Sequence, residues 1–561
     1  RDRVYRRYRE YRSLVWGILL IGNMSQTGLT TNMLIHHAEA NHGDTEVVSV
    51  DVNGSRERAN WREIGRQSRK LASGLRRVGL SSGDRVGTIM PNNRSHLEIL
   101  YAISGYGGVA HTINPRLFPD EIVYIINHAK DRILVVDPSY IGFLIGHKHL
   151  LDTVEHFYIS GPKENETAAR MNGLEFLEDL LEEGDELFEW PGLDEDAAAV
   201  LCYTSGTTGN PKGVLYSHKS IVLHANLVSL PDSFCISAKD TILPIVPMFH
   251  VNAWGMTYAS AMVGARLILP GPNLDGKSII DLIAEEKASI ALAIPTIWEE
   301  VLERLRSEPI PMPDLKRVVS GGSAVPSWVI KEFKEKHDVH VQQAWGMTEM
   351  SPLGTANTPL GKHLGLGHDE SIALMESAGR TNWAVQIRVV DDTGVEIESG
   401  SEGIIQVRGP TVMQRYLFED SDAVDEAGWF ETGDLGVLDS DGFLTITDRS
   451  KDLIKSGGEW ISSIELEEII KLHPDVYDAA VIGVRHEKWS ERPIVIAEMI
   501  KGSDVNEAEL LDFYDGKVVK WQKPDAVIFV DELPLGSTGK PIKRELRNEF
   551  EGYLLGGGES G

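Results

Sequence analysis

Cysteine is nearly missing from this sequence. Cys202 and Cys235 are the only two in 561 residues, which excludes a disulfide framework and a cysteine cluster for a metal, and fits a reducing, cytoplasmic setting. Positive charge is also scarce: 55 Lys and Arg face 84 Asp and Glu, a formal net charge of −29. Without a local basic patch, and none stands out beyond residue 23, such a chain repels nucleic acid, so no nucleic-acid partner is expected; the acidity serves solubility. Apolar runs long enough to cross a bilayer are lacking as well. "SLVWGILLIGN" is too short to span. It follows the basic "RDRVYRRYREYR", an order like that of a signal peptide, yet no small-residue cleavage site comes after it. Met24 opens "MSQTGLTTNMLIHHAEANHGD" and reads like a natural start. Residues 1–23 are therefore expected to be an upstream extension, with a membrane anchor as the minority reading, and no stable membrane insertion is expected.

What is present is an ordinary globular composition, 42% hydrophobic and 25% charged, in a chain too long for one hydrophobic core. From about residue 28 to 140, helical and strand-like patterns alternate. "WREIGRQSRKLASGLRRVGL" has helical spacing with Gly79 near its end, and "DRVGTIM" is a short buried strand. "SHLEILYAISGYGGVAHTIN" and "PDEIVYIINHAKDRILVVD" each run from helix into strand. The alternation predicts an α/β fold with crossover helices. The stretch 164–195 is acid-rich and reads as loop and exposed helix. A second boundary falls where "DGFLTITDRSKDLIKSGGEWISS" leaves a β-rich region and "IELEEIIKLHPDVYDAAVIGV" begins a compact helix–strand unit. The expected organisation is a large N-terminal domain of βαβ-type sheets, residues 24–447, and a small α+β C-terminal domain, residues 448–561, joined by a hinge.

The stretch "YTSGTTGNPKG", Tyr203 to Gly213, suits a phosphate: glycines let backbone N–H groups approach an anion, and hydroxyls and Lys212 add donors. It is not the Walker pattern, because Pro211 rather than glycine precedes Lys212. It follows the buried strand "AAAVLCY" and precedes "GVLYSH", also strand-like, so the loop joins strand to strand and relies on its own amides and side chains rather than on a helix dipole. "SGGSAVP", "WGMTEMSP", "WFETGDLG" and "PLGSTGKPIKREL" follow in order. Each alone reads as a turn, a cap or an exposed basic hairpin; together they make coincidence a poor explanation.

In that order, these segments resemble the adenylate-forming superfamily: acyl-CoA synthetases, luciferases and adenylation domains of peptide synthetases. The resemblance covers nearly the whole chain from Met24. It implies attack of a carboxylate on the α-phosphate of ATP, so that AMP rather than oxide becomes the leaving group of the acyl donor. Two anions must meet, which makes cationic stabilisation the central requirement. The resemblance implies that Thr204, Ser205, Gly206, Thr207, Thr208, Gly209 and Lys212 hold the β- and γ-phosphates, and that Thr204 and Glu349 hold Mg²⁺. Gly321, Gly322 and Ser323, with Ala344, Trp345, Gly346 and Met347, would line adenine and the acyl group. Thr348 would donate to the α-phosphate, Asp434 would accept from the ribose hydroxyls, and Arg449 would add a ribose contact. Lys540 matches the C-terminal lysine that bridges carboxylate and phosphate, and Lys451 occupies the hinge position. Gly457 and Gly458 would line the tunnel for the pantetheine arm of coenzyme A, while Lys455 and Trp460 match positions that touch nucleotide or order that loop. For Lys455 and Trp460 the bland alternatives are a solvated charge and a core tryptophan.

The acid is addressed by "PMFHVNAWGMTYA". Amino-acid-activating relatives place an aspartate here for the substrate ammonium; His250 stands in this chain, which argues against an amino acid. His250 would gate the pocket and orient the carboxylate, and Trp254 matches an aromatic that caps or gates the acyl tunnel. "HVNAWG", "AWGMTEMSP" and "RSKDLIKSGGEWISS" resemble a subgroup of fatty acyl-CoA synthetases and 3-methylmercaptopropionate-CoA ligases. The expectation is an acyl-CoA synthetase of fatty acid metabolism for a short, medium-chain or methylthio acid. The alternatives are a medium- or long-chain synthetase and a stand-alone enzyme loading a carrier protein. Its partners would be a small carboxylic acid and CoA; a homodimer is expected by analogy alone.

Overall fold

The computed structural model describes residues 24–25, 27–161, 163, 172–204, 210–449, 452, 454–456, 459–536 and 540–555. The segment 1–23, Ser205, Gly206, Thr207, Thr208, Gly209, Lys451, Gly457 and Gly458 lie outside the described residues.

Helices and strands form where the patterns place them. The helix Trp61–Arg77 is started by Asn60, whose side chain accepts from Glu63 N, and carries Arg76 and Arg77 in its last turn, where cations suit the dipole. It buries Trp61, Ile64, Leu71 and Leu75 on one face. The next helix, Arg94–Tyr106, is capped in the same way by Asn93 and stops at Gly107, whose φ of 104° only glycine adopts readily. Among the described residues, the acid-rich stretch contains one short helix, Leu177–Glu182, that buries Leu177 and Leu180.

Among the described residues the strands form three sheets. In the first, Glu175–Phe176, His156–Ile159, Asp131–Val136, Arg85–Ile89, Val109–Thr112 and Ala198–Tyr203 run parallel. Gly213–Ser217 then adds antiparallel to Ala198–Tyr203. The phosphate-loop motif thus connects strand to strand, as its flanks predict. The second sheet has a parallel part, Glu46–Val50, Arg266–Leu269, Thr241–Pro244, Ile290–Ala293, Arg317–Gly321 and His340–Gly346. An antiparallel extension follows: Leu353–Ala356, Gly379–Thr381, Phe443–Arg449, Phe430–Leu438, Glu402–Arg408 and Gln386–Val390.

One core joins these two sheets, with Val86 and Ile133 of the first and Leu267, Val319 and Ile405 of the second in a single buried cluster. Asn92 is a polar link between them: its Nδ2 donates to Pro244 O and Val246 O, and its Oδ1 accepts from Met248 N at 2.6 Å. The third sheet, Glu459–Ile461, Ile454–Ser456, Ser490–Met499, Val476–His486 and Ala526–Val530, has its own two apolar clusters. The C-terminal ends of parallel strands from both large sheets carry the candidate residues, as expected where crossover connections leave a crevice.

Candidate active site

The ends of the phosphate loop are tied to each other. Thr204 N donates to Lys212 O at 2.9 Å, continuing the pairing of Tyr203 with Gly213. Tyr203 is held from the side by His128, whose Nδ1 lies 2.7 Å from the phenol oxygen. Lys212 is exposed, and its Nζ stands 4.8 Å from the centre of the Tyr416 ring, a cation–π contact.

The strand His340–Gly346 ends in the turn that carries Thr348 and Glu349. A Cβ at Gly346 would run into the Pro352 carbonyl oxygen, so the chain can double back here only with glycine. Tyr216, on the strand after the phosphate loop, donates its hydroxyl to Thr348 O at 2.6 Å. Glu349 is 7% exposed. Its Oε1 accepts from the Tyr416 hydroxyl at 2.8 Å, and its backbone oxygen accepts from Met413 N at the same distance.

Trp345 and Asp434 meet although 89 residues separate them: the indole Nε1 donates to Asp434 Oδ2 at 2.8 Å. Asp434 is buried, its backbone N is bonded by Thr432 Oγ1, and it pairs across the ladder with Arg449. Gly321 stands beside Ala344 in register. A Cβ on Gly321 would lie 2.8 Å from Ala344 O and 3.3 Å from Trp254 Cη2, so the tip of Trp254 rests where a larger residue would intrude. Gly322 has a φ of 92°, and it and Ser323 are exposed. Met347 is partly buried. These contacts draw Lys212, Thr348, Glu349, Trp345, Asp434, Gly321 and Trp254 into one connected set.

The turn after His250 has a feature that no sequence pattern announces. Val251, Asn252, Ala253 and Trp254 have φ of 45°, 52°, 57° and 51°, a left-handed turn closed by Gly255 at 75°. Each non-glycine residue in that conformation costs about 1–2 kcal/mol. Local bonds offset this: Gly255 N donates to Val251 O, Asn252 Nδ2 to Met248 O, and Thr257 Oγ1 to Asn252 O. A Cβ at Gly255 would overlap the His224 ring, so Gly255 lets the turn sit directly on that histidine. His250 Nε2 is buried and has no hydrogen-bond partner among the described residues. Burial, helped by the Arg116 guanidinium, lowers the His250 imidazole to about 4, so it is neutral at pH 7.

Lys540 and Lys455 belong to the C-terminal sheet and its flanks. Lys540 is exposed on a hairpin pinned by Gly536 N to Lys540 O at 2.7 Å and by Ile542 N to Pro534 O at 2.7 Å. That hairpin leads into the helix Lys543–Phe550, whose Lys543 Nζ donates to Ser463 Oγ at 2.7 Å and pairs with Glu467. Ser463 N in turn donates to the buried Asp448. Lys455 is exposed, with its backbone N bonded to Glu491 Oε2, and pairs across its strand with Trp460. The residues that sequence reasoning missed are Tyr416, Tyr216, Glu491 and Asp448. None lies in a motif singled out for its side chain.

The donor set can be tested against Mg²⁺. No group of three or more His, Cys, Asp or Glu that could hold a metal exists among the described residues. The buried Glu349 carboxylate and the Thr204 hydroxyl are hard oxygen donors, few in number. That fits an ion that takes one or two protein oxygens and completes its shell with water and substrate phosphates. No helix among the described residues is long and apolar enough to cross a membrane.

Comparison with known proteins follows the same outline. The family model described as AMP-binding enzyme matches residues 35–417, and that of the AMP-binding enzyme C-terminal domain matches 465–540. The 3-methylmercaptopropionyl-CoA ligase of Ruegeria lacuscaerulensis is 49% identical over 96% of this chain and 100% of its own. The medium-chain-fatty-acid–CoA ligase of Ectopseudomonas oleovorans is 48% identical over 96% of this chain and 98% of its own. The ATP-bound MatB structure from Rhodopseudomonas palustris aligns with a TM-score of 0.79 at 26% identity, covering 94% of this chain and 100% of that one. With this fold, this set of contacts and these matches, the chain belongs to the AMP-binding enzymes of the adenylate-forming superfamily.

Proposed function

We propose that the protein is an ATP-dependent, AMP-forming acid–thiol ligase that converts a short- or medium-chain acid, or a methylthio acid such as 3-methylmercaptopropionate, into its CoA thioester. The observation that carries this is the connected set just described: direct contacts hold the edge of the phosphate loop to the Thr348–Glu349 turn and Trp345 to Asp434, and the strand His340–Gly346 joins the two. A carboxylate oxygen attacks the α-phosphorus of ATP, the bond to the β-phosphate oxygen breaks, and pyrophosphate leaves. The CoA thiol then loses its proton and attacks the acyl carbon, and AMP leaves with the bonding pair. Lys212 and the loop hold the departing phosphates, Thr348 donates to the α-phosphate, and Asp434 accepts from the ribose. Lys540 neutralises charge between carboxylate and phosphate in the first step. Mg²⁺, held by Thr204 and Glu349 and the nucleotide, supplies further charge neutralisation when bound.

The neutral His250 with an unpartnered Nε2 suits contact with an acyl carboxylate or a gating position. Trp254 resting on Gly321 supports a pocket closed at that depth, hence a short acid. The two relatives at 49% and 48% identity, a methylthio-acid ligase and a medium-chain ligase, support the same substrate range. Further proposals are a hinge at Lys451 after a boundary near residue 448, CoA contacts at Gly457 and Gly458, nucleotide contacts from Arg449, Lys455 and Trp460, a cytoplasmic site of action and a homodimer.

The test is AMP production from ATP and CoA over acids from acetate to palmitate, with 3-methylmercaptopropionate and cinnamate included. AMP that requires acid and CoA together and peaks at short chain or at the methylthio acid is the expected result. Pyrophosphate exchange with no CoA thioester would replace CoA by a carrier protein, and a peak at palmitate would overturn the short-pocket assignment.

A further inference from the structure

The segment Thr411–Leu417 lies outside every motif singled out in the sequence, yet it touches both charged halves of the nucleotide site. Met413 N donates to Glu349 O and Leu417 N donates to Gly213 O, each at 2.8 Å. The segment therefore ties the turn that bears Glu349 to the strand that leaves the phosphate loop. Between those two anchors stands Tyr416. Its hydroxyl donates to Glu349 Oε1 at 2.8 Å, and its ring face lies 4.8 Å from Lys212 Nζ. One side chain thus contacts an acid and a base through two separate parts, a hydroxyl in the ring plane and a π face.

We infer that Tyr416 is a positioning residue for nucleotide binding: its hydroxyl orients the Glu349 carboxylate for Mg²⁺ and its ring orients the Lys212 ammonium for the triphosphate. The inference rests on the adenylating reading of the site. It explains why the pairing needs tyrosine. Phenylalanine keeps the face under Lys212 but lacks the donor, and an aliphatic residue lacks both. The two contacts also couple metal and polyphosphate, because a shift of either charged group moves the ring that the other rests on.

The test is calorimetric titration of the full chain with α,β-methylene-ATP, with Mg²⁺ and with EDTA, in wild type, Tyr416→Phe and Tyr416→Leu. Losing a hydrogen bond to a charged group should weaken binding of the Mg²⁺ complex to Y416F about tenfold, with metal-free binding unchanged. Y416L should lose a further factor of about three with and without Mg²⁺, as removal of an exposed cation–π contact predicts. A role in packing alone would weaken Y416F equally in both conditions, and that result overturns the metal half of the inference. Metal-free binding by Y416L as tight as by Y416F overturns the Lys212 half. In a Glu349→Gln background, Y416F should cause no further loss of Mg²⁺-dependent binding; additive losses would show that the hydroxyl does not act through Glu349. Failure of the wild type to bind the analogue in either condition overturns the adenylating reading, and the inference with it.

Discussion

In the proposed reaction Glu349 and Lys540 bring opposite charges to the same chemistry, and the fold treats them in opposite ways. Glu349 is 7% exposed, follows a strand in the middle of the largest sheet, and is bonded through both its side chain and its backbone to the segment around Tyr416. Lys540 is exposed, in a segment bonded back to Pro534 and Gly536 beside a separate sheet with its own small cores. The acidic side is preorganised: its desolvation and orientation are settled during folding, so little reorganisation remains when nucleotide arrives. The lysine stands on the unit whose apolar clusters are separate from the main core, which is the mount the proposed domain movement would use. A group needed in one half-reaction and not in the next belongs on such a mount, whereas groups that hold the nucleotide through both belong in the rigid framework.

The strongest way to break this comparison is Lys540→Ala. Adenylation, followed by pyrophosphate exchange, should fall by roughly 10²-fold or more. Thioester formation from preformed acyl-adenylate should stay within a few-fold of wild type. Equal losses in both steps would mean that the lysine serves the whole cycle and that its mobile mount has no such purpose. On the rigid side, Asp434→Ala should reduce both half-reactions together through weaker nucleotide binding. The two charge-assisted bonds to ribose proposed for Asp434 put the loss at about 10²-fold or more, read as the KM for ATP and the Kd for AMP.

Trp345→Phe sharpens the same point. It keeps an aromatic ring beside the adenine site but removes the donor to Asp434, so the KM for ATP should rise about fivefold with kcat little changed. An unchanged KM would mean that Asp434 is oriented by its ladder position alone.

A last effect touches stability rather than turnover and concerns the support beneath the turn Val251–Gly255. His224 and His250 are both lowered by burial, to about 3 and about 4. The folded state therefore holds them neutral at pH values where the unfolded chain, titrating near its ordinary 6.5, takes up protons. Their contribution to stability is full above pH 6.5 and is lost as pH falls toward the folded values. His224→Gln should make the melting temperature less sensitive to acid than in wild type, by an amount equivalent to about 2 kcal/mol between pH 6.5 and 4.5. Identical pH slopes for variant and wild type would show that His224 accepts a proton in the native state.

The elements around the site were legible where local pattern decides them. The strand on each side of the phosphate loop, the helix–strand repeats of the first sheet, and the order of the motifs could all be read from periodicity and composition. The left-handed turn Val251–Trp254 could not, since of its residues and the closing Gly255 only Asn252 and Gly255 adopt positive φ readily. That conformation is imposed by bonds from Met248 and Thr257 and by packing on His224. Nor could the partners of the motif residues be read. Tyr416 lies 67 residues from Glu349, and Trp345 lies 89 from Asp434. By resemblance the motif "AWGMTEMSP" makes Trp345 an expected pocket wall, but it does not say that the indole N–H has a carboxylate to satisfy.

The sequence by itself determined the chemistry on offer: a glycine- and hydroxyl-rich loop with one lysine, a Thr–Glu pair, an aspartate in "WFETGDLG" and a late lysine, each encoded within a few consecutive residues. Only the tertiary structure decided which of these groups lean on one another. Hydrogen bonds such as Trp345 to Asp434 and Tyr416 to Glu349 require two sheets and a long antiparallel extension to be docked through one core. Backbone propensity and hydrophobic period act over a few residues, whereas the contacts that orient a buried charge are chosen by packing between segments far apart in the chain.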